Sequence, residues 1–270
     1  MEYCKIIPFE KIEKIACVMA DGKGELAGAV RKRTGADIVI NAPVFDMANG
    51  RILSSFVCDG VQCGKDDGLR GFRFDGGAAK LAWDGTGAKH FISEFGLLVV
   101  DGTIRCSVYA SANSRRGRTA IGITANNELV VYVVTDNESY AAKKTGKQLA
   151  EKMLALGCVQ AINLDGGGSS QIADKTGAYT AGRYVPGFIC IWLKTDKQKD
   201  GETMQVVATK KICTYDAKGN KESGRYIAKG DVCTITRMIT DSLLIEVEYP
   251  VKAGSRTAYI KTLDGFTAVE

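Results

Sequence analysis

Apolar positions along this chain fall into many short runs, and most of the runs end at Gly, Asp or Asn. Residues 1–20 alternate apolar and charged side chains and predict an edge strand or a short helix. Residues 24–34 predict a helix closed by Gly35, since glycine accepts the left-handed conformation that ends many helices. Residues 37–40 read as a buried strand running into Asn41, and 51–57 as a short strand after an Asn49-Gly50 turn. The Gly- and Asp-rich segment 58–89 predicts short hairpins at Asp75-Gly76-Gly77 and at Asp84-Gly85. Residues 91–100 end at the turn Asp101-Gly102, with apolar 97–100 as a core strand and His90 and Glu94 at the entry. His90 is read as a satisfied structural residue.

Polar residues 105–117 predict a loop over a site. Strands at 118–124 and 128–135, joined at Asn126-Asn127, form a hairpin that sets Arg118 and Asp136 side by side at one edge. Leu149, Met153 and Leu156 mark an amphipathic helix over 146–156, ended by Gly157. A strand at 159–164 then delivers Asp165, and a strand at 184–193 follows Arg183. Beyond a polar stretch, short strands are predicted at 204–208, 211–215, 232–238, 243–247 and 257–260. The predicted architecture is α+β, with mixed or antiparallel sheets and packed helices over 1–195. A linker at 196–204 and a small all-β barrel over 205–270 complete it.

Composition narrows the partners. The chain has 270 residues, 45% apolar and 25% charged, and a formal charge of +5. This is ordinary for a globular protein. Arg115, Arg116 and Arg118 cluster, but no Lys/Arg block suggests a nucleic-acid arm. No apolar run approaches the ~20 residues of a membrane span, and the first residues lack the apolar core of a secretory signal. Nine cysteines are scattered without metal-type pairing, and Cys58 and Cys63 are too far apart for a zinc knuckle. They are read as reduced core thiols made in a cytosol. A single His excludes a multi-histidine zinc site.

The most specific stretch is 161–170, Ala-Ile-Asn-Leu-Asp-Gly-Gly-Gly-Ser-Ser. Glycine lets backbone approach a ligand closely, successive N–H groups in such a turn suit an anion, and Ser169 and Ser170 add hydroxyls. A carboxylate beside such a cradle is electrostatically awkward, which suggests a catalytic acid or a metal ligand. No Gly-Lys-Ser/Thr follows, so this is no P-loop. Asn41, just past an apolar strand, is a candidate to line the same site, or else closes its own turn.

In order, the chain presents Asn41 and Phe45, Arg118-Thr119-Ala120-Ile121-Gly122, Asp136, Leu149-Ala150, Asn163-Leu164-Asp165-Gly166-Gly167-Gly168-Ser169-Ser170, and Arg183 with Val185-Pro186. This series resembles the phosphodiester glycosidase family over roughly residues 1–195. It departs at Ala42-Pro43-Val44 and at Asp136-Asn137-Glu138, where that family usually has Asp-Gly-Arg. The resemblance implies hydrolysis between a sugar anomeric carbon and a phosphate. Asp165 is then the first choice of catalytic carboxylate and Asp136 the second. Arg118 and the amides of Gly166, Gly167 and Gly168 hold the phosphate, and Asn41 orients a sugar hydroxyl or water. Phe45, Thr119, Ser169, Ser170 and Arg183 are expected to bind substrate. Ca²⁺ or Mg²⁺ on the carboxylates is open, without any dedicated metal loop.

The C-terminal segment is similar to bacterial SH3-like domains, which implies a cell-wall ligand, or else a packing module. Two function classes follow. One is a hydrolase of a glycosyl phosphodiester or related glycoside, for example in a wall polymer. The other is a non-catalytic glycan-binding protein using the same cleft. A wall-directed module without a signal peptide fits a phage or prophage product, carried on a virion or released by lysis.

Overall fold

The structure is a computed structural model and describes residues 2–105, 113–194, 204–239 and 244–269. It divides into two compact units, Met1–Lys194 and Thr195–Glu270.

The first unit is built from antiparallel sheets. A six-stranded sheet runs in the order Glu2–Pro8, Glu128–Val134, Arg118–Thr124, Cys158–Asn163, Leu97–Val100, Thr103–Ile104. A five-stranded sheet runs Gly177–Thr180, Gln171–Asp174, Ile38–Asn41, Gly187–Leu193, Ile12–Met19. A smaller one runs Val61–Gln62, Phe56–Cys58, His90–Ser93, Gly71–Asp75, Ala78–Ala82.

Strand alternation explains the layering. Val131 and Val133 point into the central core with Ile121, Ile162, Ile40, Ile189 and Phe72, drawn from all three sheets. Val130, Tyr132 and Val134 point the other way, onto Leu149, Ala150 and Met153 of helix Gly146–Ala155. That helix starts at a capping box, with Thr145 and Gln148 bonding each other's backbone N–H. Helix Ala27–Thr34 covers the five-stranded sheet through Ala27 and Val30 and ends at Gly35 with φ +68°.

These are the two α-helices among the described residues, so the α+β expectation of sheets with packed helices is overturned. The unit is mostly β, because short Val- and Ile-rich runs punctuated by Gly and Asp pair with each other instead of extending into helices. The first residues, expected to give one strand or helix, form two strands joined by a single turn at Phe9–Lys11. The Asp84-Gly85 hairpin does not form, since Ala78–Ala82 and His90–Ser93 each pair elsewhere. The core strand expected at 97–100 forms, while residues 91–100 as a whole are not one continuous strand. They break at 94–96, with Gly96 at φ +128°, and enter two different sheets. His90 is buried, and its Nδ1 accepts from the Asp59 N–H at 3.3 Å.

The second unit is one antiparallel seven-stranded sheet, in the order Lys221–Ile227, Ile212–Tyr215, Gly254–Ile260, Leu244–Val251, Val232–Ile239, Met204–Ala208, Phe266–Ala268. Val206, Ile227, Ile235, Val247 and Ile260 form its core. Strand Lys221–Ile227 escaped sequence reading because nearly all of it faces solvent and carries polar residues. The expected linker lies almost wholly outside the described residues. Among the described residues, no helix is long and apolar enough to cross a membrane.

Candidate active site

Four strand ends meet at one edge of the first unit. Arg118 begins its strand, Val134 ends the neighbouring one opposite it, and Asn163 and Asn41 end two more. Asn41 is the joint between the sheets. Its Nδ2 donates to the Asp165 carbonyl at 2.8 Å, and its Oδ1 accepts from Thr119 Oγ1 at 2.7 Å and from the Gln171 N–H at 3.1 Å. The Asp165 N–H donates to the Ala42 carbonyl, and Leu164 N–H to the Thr119 carbonyl, so the turn is pinned from both sides.

A cleft of about 450 Å³ opens here, walled by Phe45, Met47, Phe95, Arg115, Arg116, Arg118, Asp136, Lys143, Asp165, Arg183 and the three glycines. Sequence-distant candidates thus share one cavity. Gly117 is what lets them close in, since a Cβ there would lie 2.7 Å from the Gly167 carbonyl oxygen and 2.8 Å from the Asp136 nitrogen.

The two aspartates experience opposite environments. Burial pushes the Asp165 carboxyl up to about 6, against the downward pull of Ser169, the Gly166 N–H and Arg183. Burial also acts on Asp136, but the Gly117 N–H at 2.8 Å, Lys143 at 3.4 Å and nearby Arg116 outweigh it and hold this carboxyl below its ordinary value. Five cationic side chains face these two carboxylates in the cleft wall. Arg118 is buried and fixed by backbone, its Nε donating to the Lys144 carbonyl and its Nη2 to the Ser114 carbonyl, each at 3.0 Å. Arg183 donates to Ser169 Oγ at 3.1 Å and lies against Gly168, where a Cβ would meet its Nη2 at 2.8 Å.

Several expected roles change. Asn41 is 1% exposed, and its amide spans backbone and Thr119 instead of reaching the cleft. Thr119 and Ser170 are buried as well. Two amides of the triple-glycine turn are already engaged, the Gly166 N–H on the Asp165 carboxylate and the Gly167 N–H on the Gly117 carbonyl. The positive charge in the cleft wall comes from the guanidinium and ammonium groups of Arg115, Arg116, Arg118, Lys143 and Arg183. Phe45 and Arg183 do line the cleft.

Lys143, Phe95 and Met47 were missed. Lys143 had one available signal, a Lys-Lys pair just ahead of a helix cap. Residues 106–112 of the expected covering loop lie outside the described residues. Among the described residues, no three His, Cys, Asp or Glu side chains converge as metal ligands.

The phosphodiester glycosidase family profile matches residues 34–192. A curated relative, the "SPbeta prophage-derived uncharacterized protein YomE" of Bacillus subtilis, is 28% identical over 186 residues. That match covers 61% of this chain and 28% of the relative, so the chain corresponds to under a third of that protein's length. Among solved structures, the catalytic domain of zebrafish N-acetylglucosamine-1-phosphodiester α-N-acetylglucosaminidase, auto-inhibited by its pro-peptide, superposes with a TM-score of 0.58 at 15% identity. The superposition covers 71% of this chain and 83% of that one. A hypothetical protein from Synechocystis superposes at 0.53 with 12% identity, over 72% and 59%. The profile match spans more than half of the chain and contains the cleft strands, so the chain belongs to the phosphodiester glycosidase family.

Proposed function

We propose that the protein hydrolyses the bond between a sugar anomeric carbon and a phosphate oxygen in a glycosyl-1-phosphodiester. The observation that carries this reading is the cleft itself, where a cationic wall surrounds two carboxylates whose proton affinities are driven apart. Separated pKa values on paired carboxylates are a means of assigning acid and base roles.

The phosphodiester enters among Arg116, Arg118, Lys143 and Arg183, where charge-assisted hydrogen bonds hold its oxygens. The departing phosphate is a stable anion and needs no strong acid, so stabilising its charge is the main electrostatic task. Asp165, titrating near 6, is mostly ionised at neutral pH and still basic enough to take a proton from the attacking water. Asp136 stays ionised and opposes positive charge growing on the sugar. Water adds to the anomeric carbon, the C–O bond to phosphate breaks, and the proton on Asp165 returns to solvent.

A wall polymer such as a teichoic acid is the substrate class this reading favours, supported by the prophage origin of the Bacillus relative. The second unit is then a glycan-docking module of the bacterial SH3-like kind. The test is release of free sugar from a panel of UDP-sugars and sugar-1-phosphodiesters. Turnover by the wild type and loss of it in folded Asp165→Asn are expected. Equal turnover by that variant would overturn the assignment of Asp165, and no turnover on any member would overturn the activity.

A further inference from the structure

The break at residues 94–96 faces two cavities. Phe95 lines the catalytic cleft, while Glu94 lines a separate one of about 650 Å³ with Arg70, Trp83, Leu97, Asp101 and Arg105. Nothing in the proposed hydrolysis uses this second cavity, yet three of its features call for a ligand.

The first is Trp83. An indole normally contributes a large buried apolar area, but this ring is 71% exposed. The Arg70 guanidinium lies over it, 3.5 Å from the ring centroid. That contact sets the ring plane and leaves most of the aromatic surface accessible.

The second is Glu94. It is 9% exposed, and its Oε2 has no hydrogen-bond partner among the described residues. An unsatisfied buried acceptor carries an uncompensated desolvation cost, so such groups ordinarily find a partner. Burial pushes this carboxyl up to about 7, against the pull of Arg70 and with Asp67 adding to the rise.

The third is charge. Arg70 and Arg105 are matched by Glu94 and Asp101, whereas the catalytic cleft carries a cationic excess. A phosphate or other anion gains less here than in the catalytic cleft, where five cations face two carboxylates. A flat ligand with an apolar face and hydroxyl donors around its edge satisfies all three features.

We propose that this cavity is a binding subsite for a neutral pyranose, with the sugar's C–H face on Trp83 and a hydroxyl hydrogen-bonded to the Glu94 carboxyl group. Its volume falls in the ordinary range for a small-molecule site and holds at least one sugar ring. Occupancy requires no turnover, so the inference stands or falls separately from the hydrolytic reading.

The test is calorimetric titration of the full chain, carrying Asp165→Asn to prevent turnover. The probes are tetrasaccharides of N-acetylglucosamine, of glucose and of galactose, with uridine monophosphate as the nucleotide probe. At least one tetrasaccharide is expected to bind saturably with a Kd on the order of 1 mM or below. Trp83→Ala, a surface change that leaves the fold intact, is expected to weaken binding about tenfold, and Glu94→Gln about fivefold. Millimolar inorganic phosphate is expected to leave the titration unchanged. No saturable binding, binding indifferent to Trp83→Ala, competition by phosphate, or tighter binding of uridine monophosphate than of any sugar would each overturn the proposal.

Discussion

Replacing Asp165 with Asn is expected to stop turnover while strengthening the fold above neutral pH. In the folded protein this carboxyl titrates at about 6, against an ordinary 3.8. Between those values the native state keeps the proton that the unfolded chain has released. Stability therefore falls as pH rises through that window and stays lower above it. At 1.36 kcal/mol per pH unit, the cost at pH 8 is about 3 kcal/mol. Asparagine carries no charge at any pH and still offers an acceptor to the Gly166 N–H, which bonds Oδ1 at 2.9 Å. The variant is thus expected to exceed the wild type by up to about 3 kcal/mol at pH 8. The gap should close as pH approaches 4.

The assay is urea unfolding followed by tryptophan fluorescence. The chain's two tryptophans, Trp83 and Trp192, both lie in the first unit, so the signal reports that unit alone. A wild type more stable than the variant at pH 8, or a gap of constant size down to pH 4, would refute the argument that burial destabilises the ionised carboxylate.

Three further outcomes follow from the same geometry. The acid limb of kcat/KM is expected to fall with a midpoint near 6 as Asp165 takes up its proton, and a midpoint near 4 in a pH–rate profile would contradict its role as base. Gly168→Ala places a methyl within 2.8 Å of Arg183 Nη2, so the guanidinium must move. KM for a sugar-1-phosphodiester should rise about tenfold with thermal stability within ~1 kcal/mol of wild type, as steady-state kinetics and melting would read. Asn41→Ala removes a buried amide that satisfies a carbonyl, a hydroxyl and an N–H, and is expected to destabilise the first unit by about 2–4 kcal/mol in urea unfolding.

The hairpin at 118–134, both helices and the strand delivering Asp165 were legible because each has a local signature: a turn at Asn127, an apolar stripe or a terminal glycine. Sheet membership was not. The string 91–100 has apolar residues on both sides of Ser93-Glu94 and Gly96, and nothing in its pattern shows the chain leaving one sheet for another there. The mostly β outcome was hidden for a related reason. Segments such as Glu2–Pro8 and Ile12–Met19 are paired by residues more than a hundred positions away.

In the candidate site, residue types pointed to groups that share one cleft, the two aspartates among them. Which of them touch solvent did not follow from spacing. Asn41 and Thr119 look like cleft residues in a motif string, yet they bond each other behind it. Lys143 reaches Asp136 by folding back from the loop before a helix, a contact that no local pattern encodes.

The Asn41 joint carries a consequence for motion. Catalytic turns often sit on loops that open independently of the body beneath them. Here the backbone at Asp165 is tethered to Ala42, the residue just past a strand of one sheet, and that at Leu164 to Thr119 in another. Releasing the turn means parting the two layers. The amide protons of Leu164 and Asp165 should consequently exchange with deuterium only as fast as the whole first unit unfolds, making the floor of this cleft one of the slowest-breathing places in the chain.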